Sequence, residues 1–292
     1  MKKFVYILLM ILPVLLLSCS EDDLSGTSVI KDAERTETQL DNWLKTNYLN
    51  PYNVDFKYRM EDIESDNFYN LVPAKYEQSI RMAKIVKYLC LEAYDSLTGD
   101  EKFVRQHFPK VLHIIGSAAY DNNGTMILGT AEGGYKITLF YINNINTSSV
   151  ADVNRYSLRT IHHEFAHIFH QKKPYSTSFR EISGSKYVSD SWNDVYTSEN
   201  TSLPAGFITP YAAKAHDEDF VEIIANYVTN TAAAWEAKLV KAGTTGRPII
   251  ESKFDIVYNY MFETWNVDLH KLRDIVIYRQ SKYGELDLNN ID

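Results

Sequence analysis

The sequence predicts an α+β fold, mostly helical, with a small mixed sheet ahead of one key helix. Three observations lead there. Apolar residues recur at three- and four-residue spacing over several long stretches. Short runs rich in β-branched and aromatic residues gather between positions 111 and 142. Asn-Gly and Gly-Gly pairs, which favour tight turns, bound those runs.

The first eighteen residues stand apart from that fold. Lys2 and Lys3 make a basic start, and Phe4 to Leu17 are almost wholly apolar. As a helix this run spans about 20 Å, short of the ~30 Å of a bilayer core. Residues 1–18 therefore read as an export signal rather than a membrane span. The run Leu16-Leu17-Ser18-Cys19 resembles the lipobox of bacterial lipoproteins, which implies cleavage before Cys19 and acylation of its thiol. Residues 19–34 are polar and begin Ser20-Glu21-Asp22-Asp23, so they read as a flexible tether. Acidic residues in that place resemble the surface-export signal of Bacteroidetes lipoproteins.

Residues 35–292 remain, enough for one large domain or two small ones. Removing the leader takes away two lysines and no acids, moving the formal charge from -8 to -10. Such a balance argues against a nucleic-acid partner, which needs basic clusters to meet phosphates. With Cys19 acylated, Cys90 is alone and no intramolecular disulfide can form. Its setting in an apolar helical stretch reads as a buried, inert thiol.

Along the domain, Leu40 to Tyr48 is a short amphipathic helix stopped by Pro51, and Val54 to Met60 is a candidate strand. Lys75 to Leu97 carries Ile80, Met82, Ile85, Val86 and Leu89 at helical spacing. Val111 to Ile115, Thr125 to Gly129 and Tyr135 to Ile142 supply the sheet, with Asn123-Gly124 as a hairpin turn. The key helix follows Ser149, which with Asp152 has the form of a capping box, and runs to about Gln171. After a long polar loop, helices are expected at Asp217 to Val228, near Ser252 to Trp265, and at Leu269 to Arg279.

The chemistry sits on the key helix, in His163-Glu164-Phe165-Ala166-His167. Residues four apart differ by only about 40° around a helix, so both imidazoles leave one face and can share a metal ion. Glu164 lies on the flank, within reach of the proton of an attacking water. Zinc suits imidazole and carboxylate ligands and leaves an open position at catalytic sites. A third ligand is required. His170 returns to the same face but lies about 10 Å along the axis from His163, too far to share one ion. His162 points away and reads as a structural histidine. Glu218 and Glu222, four apart on a downstream helix, are better candidates, and spacing alone leaves open which binds metal and which orients a histidine. Asp219 is a weaker alternative.

These residues resemble known families. Position 170 is not glycine and 173 is Lys, which excludes the metzincin pattern. Glu218 and Glu222 after the His163 motif are similar to the gluzincin arrangement, where the first acid binds zinc and the second supports a histidine. Tyr211, seven residues before Glu218, resembles the tyrosine of anthrax-lethal-factor-like peptidases. More broadly, the chain resembles the zinc-binding metallopeptidase lipoproteins of Bacteroidetes, also described as substrate-import-associated zinc metallohydrolase lipoproteins. The resemblance runs from Cys19 through Pro51-Tyr52-Asn53, Tyr58-Arg59, the His163 helix and Gly206 to Glu222, to Trp265-Asn266-Val267-Asp268-Leu269 and Leu272-Arg273. It implies a zincin-like fold, zinc held by His163, His167 and Glu218, and Glu222 behind them. It also implies Glu164 as base and Tyr211 as a donor to the oxyanion.

The expected function is a zinc-dependent peptidase acting on peptides or proteins. The resemblance adds a lipid anchor in the outer membrane, a cell-surface address and TonB-dependent nutrient uptake. By analogy with zincin folds, Tyr135 to Ile142 is expected to be an exposed strand that pairs with extended substrate. Two other readings compete. One is a surface binding lipoprotein with little or no catalysis, against which an intact Glu164 argues. The other is a zinc hydrolase of a non-peptide amide or ester.

Overall fold

The computed structural model describes residues 36–61 and 68–291. The leader, Cys19 and the tether all lie outside the described residues. Thr38 to Asp292 forms one compact unit. No helix among the described residues is long and apolar enough to cross a membrane.

Helix α1 (Gln39–Leu44) opens on Thr38, whose hydroxyl and the Asp41 carboxylate cap each other's backbone. Such a cap stabilises a helix start by about 1 kcal/mol. The chain does not stop at Pro51. A π turn, Lys45–Leu49, leads into a last turn in which Pro51 occupies an early position that needs no N–H donor, and Asn53 ends it with a φ of 55°. Strand β1 (Asp55–Lys57) follows. Helix α2 (Tyr76–Val86), a π turn and α3 (Glu92–Thr98) fill the stretch expected from Lys75 to Leu97. Cys90 lies there, fully buried, and burial pushes its thiol far up. Helix α4 (Lys102–His107) was not expected; two turns are too short to show a period.

Strands β2 (Val111–Ile114), β3 (Ala119–Tyr120), β4 (Met126–Ile127), β5 (Gly129–Glu132) and β6 (Lys136–Leu139) complete the β structure. The sheet has the order β1-β2-β6-β5. Its first three strands are parallel, with Phe56 against Leu112 and Leu112 against Ile137. β5 and β6 form an antiparallel hairpin, so the sheet is mixed. Gly133 and Gly134 turn the chain at φ 57° and 69°, values that glycine tolerates best, and Tyr135 N–H donates to Glu132 O at 3.0 Å. β3 and β4 pair separately around Asn123-Gly124.

This corrects one expectation. Tyr135 to Ile142 is not an exposed strand: β6 lies between β2 and β5, and Ile137, Thr138 and Leu139 are buried. The edge strands are β5, next to β6, and β1 on the far side. Thr138 is buried along with its neighbours Ile137 and Leu139, so β6 is covered on both faces, as inner strands are.

The key helix starts at Val150, where Ser149 accepts a hydrogen bond from the Asp152 N–H. The expected reciprocal bond is absent, because the Asp152 carboxylate accepts from Asn146 N instead. After a π turn at Asn154–Leu158 it continues as α5 (Arg159–Lys172) and packs beneath β5 and β6. Its buried face presents Ile161, Phe165 and Phe169, met by Tyr94, Phe103 and Phe108. The polar stretch that follows is not one loop; it contains short helices at Ser178–Ser183, Trp192–Val195 and Glu199–Ala205.

Helix α6 (His216–Thr229) crosses α5, and α7 (Ala232–Trp265) and α8 (Leu269–Ser281) pack around it. α7 starts twenty residues before the expected segment and is broken at Gly243, where φ is 67°. Its first half is rich in alanine and has few large apolar residues; Trp235 and Leu239 hold it against the core.

Candidate metal centre

The centre forms where α5 and α6 cross. His163 and His167 leave α5 one turn apart, and their Nε2 atoms lie 3.2 Å from each other. Glu218, in the first turn of α6, brings Oε2 to 3.1 Å from His163 Nε2 and 3.3 Å from His167 Nε2. Among the described residues, these three are the group whose ligand atoms converge closely enough to hold a metal ion.

The triangle is the right size for zinc. Ligands at about 2.0–2.1 Å in tetrahedral array stand about 3.3–3.4 Å apart. The three separations are within a few tenths of an ångström of that. The atoms also have the right chemistry, because two imidazole nitrogens and a carboxylate oxygen facing one point are natural ligands of zinc.

Each histidine has support behind it. His163 Nδ1 meets Glu222 Oε1 at 2.8 Å, which presents Nε2 to the centre. Thr209 donates to Glu222 Oε2 at 2.6 Å, and Asn226 donates to the same oxygen. His167 Nδ1 meets His170 Nε2 at 2.9 Å. His170 thus stays off the metal and supports the histidine that holds it. Its i,i+3 spacing to His167 carried that signal. Thr209 carried none, since only the tertiary fold brings it to Glu222.

The electrostatics follow from these contacts. Burial works against a charged His163, but its hydrogen bonds with Glu218 and Glu222 outweigh it and hold the ring up at about 10. Burial also opposes ionisation of Glu218, yet the two histidines bring its carboxyl far below the ordinary range. Glu222 is held low by His163, against burial. Glu164, 7% exposed, makes no hydrogen bond among the described residues, and burial pushes its carboxyl up against the pull of His163 and His167.

Tyr211 sits in a short turn, Tyr211–Ala213, with its ring 5.9 Å from that of His163 and Trp192 edge-on at 5.2 Å. Burial first, then the Glu218, Glu164 and Glu222 carboxylates, raise its hydroxyl. His163, Glu164, Tyr211 and Glu222 all line one cavity of about 390 Å³, walled opposite by Ile127, Leu128 and Gly129. The alternatives lie elsewhere. His162 is fully buried, with Tyr94 Oη 3.3 Å from its Nδ1, and burial holds it down at about 3. Asp219 turns from the centre to pair with Lys253.

Two crossed helices that converge two imidazoles and a carboxylate under a mixed sheet define a buried divalent-metal site beside an open cavity. The model of the putative zinc-binding metallo-peptidase family matches residues 33–270, and the chain belongs to that family. A crystal structure of a putative zinc-binding metallo-peptidase from Bacteroides caccae is similar in sequence and fold. It shares 44% identity over 91% of this chain and all of that one, with a TM-score of 0.76. Zinc is the metal that both names give. No curated protein matches the chain.

Proposed function

We propose that the protein is a zinc-dependent peptidase of the gluzincin-like type, with His163, His167 and Glu218 as ligands. The observation that carries this reading is the 3.1–3.3 Å triangle of ligand atoms beside a buried, unpaired Glu164. Zinc, when bound, supplies a Lewis acid and lowers the pKa of its water. Glu164 accepts the proton of the attacking water and passes it to the amine as the C–N bond breaks. A carboxyl raised by burial is a stronger base for that transfer. Tyr211, a hydroxyl donor on the cavity wall, stabilises the oxyanion as charge develops on the carbonyl oxygen. Glu222, braced by Thr209 and Asn226, fixes the tautomer and angle of His163.

The substrate backbone pairs with β5, whose outer edge carries backbone groups that no neighbouring strand uses. Gly129, the first residue of β5, lines the same cavity as Glu164, so a chain on that edge leads toward it. Acylation of Cys19 tethers the enzyme to the outer membrane at the cell surface, and its products feed an uptake system of the TonB-dependent kind. The run Leu16 to Cys19 and the acidic residues behind it support this address.

The test is to express Thr27 to Asp292 as wild type and as Glu164→Gln, then measure bound metal and hydrolysis of a mixed peptide library. One zinc per chain in both, with cleavage by wild type only, is the expected result. Zinc in both without cleavage overturns the peptidase reading, and folded protein without zinc overturns the metal centre.

A further inference from the structure

The cavity beside the cluster holds a cation that no hydrogen bond or ion pair engages among the described residues. Arg159 opens α5 one turn before His163. A four-residue offset puts both on one face, about 6 Å apart along the axis. Arg159 lines the cavity with Thr160 and Thr209, is half-buried, and makes no hydrogen bond or ion pair among the described residues.

Of the four acids on the cavity wall, Glu164 is the base of the proposed mechanism and the other three are engaged elsewhere. Arg159 is among the charges that hold the Glu222 carboxyl low, after His163. Yet both Glu222 oxygens already accept hydrogen bonds, one from His163 and the other from Thr209 and Asn226. Glu199 pairs with Lys238, and Asp121 accepts from Asn122 N. Lys214, the other cation on the cavity wall, has Asp190 at 3.8 Å and stands over the Tyr211 ring.

A guanidinium is a planar fork that matches a carboxylate in two parallel hydrogen bonds, and such bonds are among the strongest available. We propose that Arg159 is a specificity determinant that binds a carboxylate of the substrate within one or two residues of the scissile bond. The inference rests on the peptidase reading. An extended peptide advances about 3.3 Å per residue, so an arginine one helical turn from His163 is one or two residues along it. Two sources share this chemistry. An Asp or Glu side chain beside the cleaved bond makes the enzyme selective for acidic sequences. The terminal carboxylate makes it an exopeptidase that trims from the C-terminus.

The experiment compares zinc-loaded wild type, Arg159→Met and Arg159→Lys on matched peptides. One pair differs only in Glu or Gln beside the cleaved bond, the other in a free or amidated C-terminus. Wild type is expected to favour one carboxylate form by about tenfold or more in kcat/KM. That ratio falls toward one in Arg159→Met and is partly kept in Arg159→Lys, with zinc content and Tm reporting an intact fold. The pair that shows the preference identifies the source. Equal kcat/KM within both pairs, or a preference that survives in Arg159→Met, overturns the assignment.

Calorimetric titration of zinc-loaded Glu164→Gln with the same peptides separates the two ideas. Carboxylate-dependent binding that Arg159→Met abolishes supports Arg159 even if wild type cuts nothing, in which case the peptidase reading alone falls. Binding with no carboxylate dependence overturns the role of Arg159, whatever wild type cuts.

Discussion

Lys253 and Asp219 form an ion pair of 2.5 Å in which neither side chain touches solvent, one residue along α6 from Glu218. Lys253 reaches it from α7, donates also to Gly206 O at 2.8 Å, and lies over the Phe207 ring. Tyr187 donates to the same Asp219 oxygen. Burial alone would push the carboxyl up and the ammonium down, and each charge is tolerable only because the other is present. The pair therefore pins the start of α6, and with it the direction in which Glu218 points. Lys253→Met is expected to cost about 3–5 kcal/mol in unfolding free energy, and Lys253→Met with Asp219→Leu to recover most of that. Denaturant unfolding of the two variants checks it; equal losses would show that the pair is not what holds this region.

Glu164→Gln keeps the shape of the side chain and removes its basicity. Zinc content should match wild type while kcat falls about 10²–10⁴-fold, the range that a positioned base supplies. Single-turnover kinetics alongside metal analysis read both quantities.

Glu222 touches His163 on the side away from the centre. Glu222→Gln should lower zinc affinity by about 10–100-fold without abolishing it, since the three ligands remain. Competition against a chromophoric chelator measures the change. An affinity equal to wild type would remove Glu222 from the support of His163.

Asp95 makes a pH-dependent contribution far from the metal. Its carboxyl is pushed up to about 6 by burial, against a 2.5 Å hydrogen bond from Tyr52, and its Oδ1 is buried without a partner. The folded protein thus holds a proton that the unfolded chain releases near pH 4. Stability should fall as pH rises from about 4 to about 6, then level off. The difference in unfolding free energy between wild type and Asp95→Asn should change across that window and be flat above it. Urea melts at a series of pH values decide it; a constant difference would locate the Asp95 proton elsewhere.

Much of this architecture was legible in residue order. Ser149, the period of Phe165 and Ile168, and the spacing of His163 and His167 are local features, and local features survive into the fold. What stayed hidden depends on contacts between distant segments. Nothing in the sequence distinguishes Lys253 from a surface lysine until α7 lies against α6. The choice between Glu218 and Glu222 was open by spacing, because it depends on which turn of α6 faces α5. The edge of the sheet was misjudged for the same reason. Strand order is a property of the crossovers, and the more apolar of two neighbouring strands was inside rather than out. His170 shows the opposite lesson: its signal was local, and it was weighed only as a metal ligand when its ring serves His167 instead.

The position of β5 at the rim of the sheet has a consequence for which molecules such an enzyme can attack. A rim strand can be joined only by a chain whose own amides are not already committed to a helix or a sheet. Natively folded domains offer few such stretches, whereas tails, open loops and fragments left by earlier degradation offer many. The choice of target is then made first by conformation and only afterwards by side chain. On the peptidase reading, pairing at this rim predicts an enzyme that works late in the breakdown of a protein, on material that has already lost its shape.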